Sequence, residues 1–316
     1  MIGGLRTVAL AALAVLAGCA ARQTPGGGPG AASAVPIMLS AASVAGRAAA
    51  SIPGGPGEGH PPGRFAYAGA LTQGGWLKGQ APPGTRTLTL DGVPVALAGD
   101  GSFLIGFDRD AAATARLTAV LDDGRSVVEP LTIAPRAWRI EHVATPMRPA
   151  GVTDEAFRRR RADELARIAA ARSRVTDAAG WRQRFVLPEA GRISGRFGSQ
   201  RVYAGTPGAY HSGLDIAASG GTVFVAPADG VVVLAAADPF TLEGRLLIVD
   251  HGAGLNSAFL HCSDLLVGEG DRVRQGQPIG RVGMTGRATG PHLHWSLKWR
   301  EARLDPILLA GPDAPR

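Results

Sequence analysis

Five of the seven histidines fall between positions 211 and 294, which makes that stretch the place to look for chemistry. His292 and His294 open the run His292-Leu293-His294-Trp295-Ser296-Leu297-Lys298-Trp299, in which polar and apolar residues alternate strictly. On a strand, His292, His294, Ser296 and Lys298 share one face and Leu293, Trp295, Leu297 and Trp299 the other, so the apolar side packs and the imidazoles face a groove. Two imidazoles so spaced are close enough for one metal-centred site. The segment His211-Ser212-Gly213-Leu214-Asp215 adds an imidazole and a carboxylate, with a glycine that allows close approach to the backbone. Such donors suit zinc, and three protein ligands leave a fourth position for water, the pattern of a catalytic rather than a structural site. Spacing does not say which histidine of the 292/294 pair takes the metal. His261, closing an apolar run, is a further candidate acid or base. His251, in Asp250-His251-Gly252, reads as a turn histidine, and the isolated His142 as a solvated or satisfied one.

These residues need strands and turns to position them. From Phe185 onward β-rich runs recur with glycine at most junctions: 222–226, 230–234, 245–250, 257–261 and 292–299. They describe a β domain over 185–309. Residues 65–148 carry short alternating runs separated by turn signals such as Asp91-Gly92 and Asp123-Gly124, which predict hairpins and a small β-sandwich, immunoglobulin-like in the loose sense. Between the two, 153–176 reads as a linker helix, with Thr153 as cap, Asp154 and Glu155 at the positive end, and Ala, Leu, Arg and Glu following. Its run Arg158-Arg159-Arg160-Arg161 is followed by Asp163 and Glu164 and reads as a solvated face. The predicted fold is mainly β: sandwich, connecting helix, then an antiparallel sheet.

Composition limits the alternatives. The chain has 45 glycines and 23 prolines, and 20–64 is Ala, Gly, Pro and Ser with almost no large side chains, which reads as a flexible tether. The only cysteines are Cys19 and Cys262, which excludes a disulfide-stapled fold and any cysteine-built zinc finger. The net charge of +7 does not choose between nucleic acid, anionic lipid and an anionic wall polymer. Residues 1–19 form a short basic start, an apolar stretch and Leu16-Ala17-Gly18-Cys19, a secretion signal too short to span a bilayer as a mature helix. The Leu-Ala-Gly-Cys ending resembles the lipobox of bacterial lipoproteins, which makes Cys19 the expected lipidation site and a membrane lipid anchor the expected tether. Cleavage near Ala20 without lipid is the alternative.

The ordered set His211-x-Gly213-x-Asp215, Phe259-Leu260-His261-Cys262-Ser263 and Gly290-Pro291-His292-Leu293-His294 resembles the LytM/lysostaphin-type zinc metalloendopeptidases of bacterial peptidoglycan. The resemblance covers about 187–309, including the glycine-rich stretch 268–280. It implies one zinc ion held by His211, Asp215 and His294, with His261 and His292 as an unligated catalytic pair whose division of labour stays open. The leader and lipobox predict an exported protein of the periplasm, and Ala20 rather than Asp after Cys19 points to tethering at the outer membrane; there the peptidase resemblance implies action on the D-Ala to meso-diaminopimelate cross-link, with glycyl-glycine cleavage as the alternative bond. Tyr203 and Tyr210 are candidates for oxyanion assistance. Cys262 reads as a packed small hydrophobe, pointing away from the face of His261.

Some relatives have degenerate metal motifs and activate cell-wall amidases without catalysis; here all five positions are intact, which favours an enzyme. The 267–280 turns also resemble lipoyl and biotinyl carrier domains. Those need a modifiable lysine, and 223–293 contains none. Nucleic-acid binding is not expected, because the basic residues lack interleaved aromatics and the chain carries an export signal.

Overall fold

The computed structural model describes residues 63–144 and 155–311. The leader, Cys19 and most of the 20–64 tether lie outside the described residues. Seven strands come first: β1 (Ala66–Gly69), β2 (Trp76–Gln80), β3 (Thr85–Leu90), β4 (Val93–Val95), β5 (Ser102–Gly106), β6 (Thr114–Leu121) and β7 (Ser126–Thr132). They form two antiparallel sheets, ordered β1-β2-β5 and β4-β3-β6-β7. Alternation decides which side packs: in β6, Leu117, Ala119 and Leu121 are buried and the residues between them are not. The turn between β3 and β4 places Asp91 at φ 49° and Gly92 at φ 82°, the double left-handed geometry that an Asp-Gly hairpin requires.

Of the helix expected over 153–176, the structure shows α1 (Glu155–Ser173), with Thr153 and Asp154 outside the described residues and 174–176 non-helical. The second part holds β9 (Arg192–Gly195), β10 (Gln200–Tyr203), β11 (Thr206–Pro207), β12 (Leu214–Ala217), β13 (Val223–Val225), β14 (Gly230–Phe240), β15 (Gly244–Asp250), β16 (Leu255–Cys262), β17 (Asp264–Leu265), β18 (Arg272–Val273), β19 (Pro278–Arg281), β20 (Leu293–Trp299), β21 (Ala302–Leu304) and the short α2 (Pro306–Ala310). Its main sheet runs β18-β14-β15-β16-β20-β12-β9, with β21 on β20. Leu246 to Val249 of β15 are all buried, because this sheet is covered on both faces. One face packs Phe259, Leu247, Val249 and Trp295 into a core that continues into the sandwich. The other puts Leu246, Ile248 and Ala258 under Ile168 and Ala171 of α1.

The two parts are joined by more than a linker. β8 (Ile140–Val143) pairs in parallel with β10, so the end of the first part becomes a strand beside the second. A Cβ on Gly106 would meet Leu304 at 2.8 Å, which shows how closely the sandwich sits on β21. Arg136 pairs with Asp305 at 2.8 Å, and Trp76 Nε1 donates to the carbonyl of Leu308 at 3.1 Å.

Arg158, Arg159 and Arg160 of the arginine run are exposed, as a solvated face requires, and the fourth arginine departs from that reading. Arg161 is buried, its guanidinium forks onto Glu243 at 2.6 and 2.7 Å, and buried Glu164 accepts from Thr241. The reason is position: Arg161, Glu164, Ile168 and Ala171 fall on the one face that meets the sheet, so an ion pair substitutes there for an apolar stripe. His142 on β8 is exposed.

Candidate metal centre

Three side chains from three chain positions converge at one end of the main sheet. Asp215 on β12 and His294 on β20 are direct cross-strand partners, and His294 Nδ1 lies 2.8 Å from Asp215 Oδ1. His211, in the loop before β12, brings Nε2 to 3.0 Å from the same oxygen and 3.2 Å from His294 Nδ1. Its backbone is pinned on both sides: its N–H donates to Ser199 and its carbonyl accepts from Gly198. The other ring nitrogen, Nδ1, donates to the carbonyl of Arg196 at 3.1 Å, so Nε2 is the lone-pair side of the neutral ring and donates to Asp215 when the ring is protonated.

Charge follows from these contacts. Burial works against the Asp215 anion, yet hydrogen bonds from His211 and His294 hold its carboxyl far below the usual range. Burial also disfavours the His211 cation, but Asp215 more than offsets it and raises the pKa. His294 is more deeply buried and its pKa falls despite Asp215.

The set fits a divalent cation. One ligand atom from each of His211, Asp215 and His294 lies within 4.8 Å of the other two, and a carboxylate with two imidazoles is a borderline-hard donor set. Space for it is kept by glycine. A Cβ on Gly213 would stand 2.6 Å from His294 Nε2, and one on Gly195 would stand 2.3 Å from Asp215 Oδ2.

His261 and His292 stand beside this group, their ring centroids 5.1 Å apart. His261 Nδ1 donates to the carbonyl of Thr285 at 2.9 Å, and His292 Nδ1 to that of Gly290 at 2.9 Å. A carbonyl only accepts, so both imidazoles carry the proton on Nδ1 and present the Nε2 lone pair. His292 Nε2 is 3.7 Å from Asp215 Oδ1, within the same cluster. Burial pushes the pKa of His261 down to about 4, keeping it a neutral acceptor.

His261 does not reach this place by simple strand alternation. Its partner strand shifts register between Arg245 and Leu247, so Leu260 and His261 together oppose one residue, and His261 takes φ 65°. This bulge turns the ring into the cluster. Cys262 beyond it is fully buried, with its thiol pushed up to about 12 by burial, in keeping with its reading as a small apolar residue.

Two candidates fall elsewhere. Tyr210 is engaged at the junction with the sandwich: its hydroxyl donates to Asp108 at 3.2 Å and accepts from Arg303 at 3.1 Å, so it is not offered to an oxyanion at the cluster. Tyr203 lies on β10, which pairs with β8 and β11. His251 closes β15 as a turn histidine should, but it is fully buried rather than at the surface. Sequence reasoning did not single out Thr285. Besides its carbonyl on His261, its hydroxyl donates to the carbonyl of Cys262 at 2.9 Å and accepts from Arg245 N–H at 2.9 Å. The signal was the loop Gly283-Met284-Thr285-Gly286, which pins the bulge from outside the strand.

Residues 209–306 match the family described as Peptidase family M23. The peptidoglycan DD-endopeptidase ShyA of Vibrio cholerae is 40% identical over 116 residues, covering 36% of this chain and 26% of that protein. The DD-carboxypeptidase/endopeptidase Mpg of Neisseria meningitidis serogroup B is 37% identical over 108 residues, 32% of this chain and 23% of that protein. The match thus spans about a quarter of each curated relative. A crystal structure of a putative peptidase M23 from Pseudomonas aeruginosa superposes with a TM-score of 0.59 at 26% identity, over 78% of this chain and 96% of that one. Among the described residues, no helix is long and apolar enough to cross a membrane.

Proposed function

We propose, from the premise that residues 209–306 form a peptidase M23 domain, that the chain is a zinc-dependent endopeptidase that hydrolyses peptide cross-links of bacterial peptidoglycan. The bond we assign is D-Ala to meso-diaminopimelate, in line with the DD-endopeptidase names of its relatives. The observation that carries the reading is the convergence of His211, Asp215 and His294, with two further imidazoles whose Nε2 atoms are left open beside them.

His211 Nε2, Asp215 Oδ1 and His294 Nδ1 would hold the ion. When bound, zinc acidifies water and polarises a carbonyl. Everything else falls to the chain. His261 and His292, each locked as the Nδ1–H tautomer, accept a proton at Nε2 from the attacking water and return it to the leaving amine. In the protonated form, the Nε2–H of each ring donates to the oxyanion. Thr285 and Gly290 keep both rings from turning away. The export signal and Cys19 complete the reading: a periplasmic enzyme held at the outer membrane by a lipid. Cys19→Ser should release it from the membrane fraction, and an unlipidated mature terminus by mass spectrometry would contradict the anchor.

The activity is tested by incubating the purified protein with cross-linked peptidoglycan and weighing the released fragments, with metal present, chelated, or restored as zinc. Cross-linked stem dimers should fall to monomers, stop doing so on chelation and resume with zinc. Cleavage that persists after complete metal removal would overturn the metal mechanism. Products cut only between glycines would overturn the assigned bond.

A further inference from the structure

The face of the sheet that carries His294 does not end at the metal centre. Along β20, Ser296 and Lys298 follow His294 on the same side, half-buried, while Leu293, Trp295 and Leu297 are fully buried on the other. At about 3.3 Å per residue, Lys298 stands roughly 13 Å from His294, with Ser296 midway. β21 pairs with the same strand and sets Arg303 directly opposite Lys298, so the two cations lie side by side on that face. Arg303 Nη1 donates to Tyr210, the residue before His211, at 3.1 Å.

The opposite flank is α1. Ala258 of β16 is the cross-strand partner of Ser296, and Ala171 of α1 packs in the cluster that contains Ala258. Arg172, the next residue, has a buried Nη1 with no hydrogen-bond partner. A buried guanidinium N–H left unpaired is costly and calls for an acceptor. Asp108 accepts from the backbone N–H of Arg303 at 2.8 Å, and the acid bonded to Lys298, at 2.8 Å, is Glu301, whose side chain is 96% exposed. Its carboxyl is held below the ordinary range by that hydrogen bond first, against some desolvation, and then by the charges of Lys298, Arg172 and Arg303. All three cations therefore act on Glu301, an acid that water reaches freely.

We propose that Arg172, Lys298 and Arg303 form a carboxylate-binding subsite on the sheet face that carries His294, about four extended residues along from it, which selects anionic stem peptides over neutral ones. The proposal rests on the peptidase reading above. A wall cross-link is flanked by free carboxylates of the acidic and diamino-acid residues of its stems, whereas an ordinary peptide segment need carry none. A carboxylate at this distance would satisfy Arg172 and gain charge-assisted bonds from Lys298 and Arg303.

The test uses the metal-loaded full chain and two cross-linked stem dimers, one with free stem carboxylates and one with those groups converted to carboxamides. The wild type should cleave the acid form with a kcat/KM about tenfold or more above the amide, chiefly through KM. Lys298→Gln and Arg172→Gln should each pull that ratio toward one at unchanged metal content. Arg172→Gln should also leave the melting temperature intact, since it removes an unpaired donor rather than a bond. A wild-type ratio near one, or variants that keep the wild-type ratio, would overturn the subsite. If neither dimer is cleaved, the peptidase reading falls, and calorimetric binding of the two dimers to the same proteins still decides: equal affinity for acid and amide refutes the subsite, and preference for the acid that both variants lose supports it.

Discussion

His251 and the pair His261/His292 belong to the same β domain, and the contrast between them shows what makes a histidine chemical rather than structural. His251 has no exposed surface. Its Nδ1–H donates to the carbonyl of Asp229 at 2.7 Å, its Nε2 accepts from the Ser257 hydroxyl at 2.8 Å, and Ser257 in turn accepts from Trp295 Nε1 at 3.1 Å. Both ring nitrogens are used, and burial pushes the pKa down to about 4. His261 and His292 also have Nδ1–H fixed by a carbonyl, but their rings stand beside the His211, Asp215 and His294 cluster, with His292 Nε2 3.7 Å from Asp215 and the His261 ring 6.3 Å from that of His294. One immobilised nitrogen with one open nitrogen leaves a ring able to take up and release a proton; two immobilised nitrogens make a brace.

The largest expected effect comes from removing the carboxylate shared by the open cluster. Asp215→Ala leaves two imidazoles and no anion, so bound metal and turnover should both fall to background, read by elemental analysis and product release. Retention of stoichiometric metal would show that the ligand set is different. One step smaller, His261→Ala and His292→Ala should each keep near-stoichiometric metal and lose roughly 10²-fold in turnover. A variant within a few-fold of wild type at full occupancy would mark that ring as a structural neighbour and leave proton transfer to the other.

Much of this cluster was legible in the sequence, and the rest was hidden for identifiable reasons. Alternation from His292 to Trp299 correctly placed His294, Ser296 and Lys298 on one face, because a strand's period is local. That Asp215 sits directly opposite His294 depends on the register of strands far apart in the chain, which no local pattern encodes. The turn of His261 depends on a bulge at φ 65°, an uncommon conformation for a residue with a Cβ. Arg161 looked solvated because charge runs usually are; its burial needed Glu243, a partner 82 residues away. The hairpin at Asp91-Gly92 was readable, since the dipeptide itself encodes the geometry, whereas the β8–β10 pairing that joins sandwich to sheet has no local signature.

A subtler disturbance of the open cluster is Gly213→Ala. The new methyl would meet His294 Nε2 and the carbonyl of Trp295, each at 2.6 Å, so the ring must shift. Metal affinity should weaken about tenfold, in the range seen when groups that orient ligands are lost. Wild-type affinity in a competitive chelator titration would show that the glycine serves only the backbone.

His251→Leu should have the smallest effect on catalysis and the clearest effect on stability. Ser257 and the Asp229 carbonyl lose their partner, at a cost of about 1–3 kcal/mol, while metal content and turnover of the folded protein stay at wild-type values. The pH dependence follows from the direction of the shift. The folded-state pKa of His251 is depressed from 6.5 to about 4, so the unfolded chain binds the proton first, and stability declines as pH falls through that window. Part of that slope should vanish in His251→Leu, as followed by denaturant midpoints across the range. An unchanged slope would place the acid sensitivity elsewhere, and a fall in metal content would erase the distinction between brace and catalyst.

The central claim is that five side chains form a metal-dependent peptidase site, and one titration addresses it most directly. Metal-free protein is loaded stepwise with zinc while bound metal per chain and cleavage of cross-linked stem dimers are measured on the same samples. Activity should rise in proportion to occupancy and reach its plateau at one ion per chain. Full occupancy without cleavage, or cleavage that precedes metal uptake, would contradict the account.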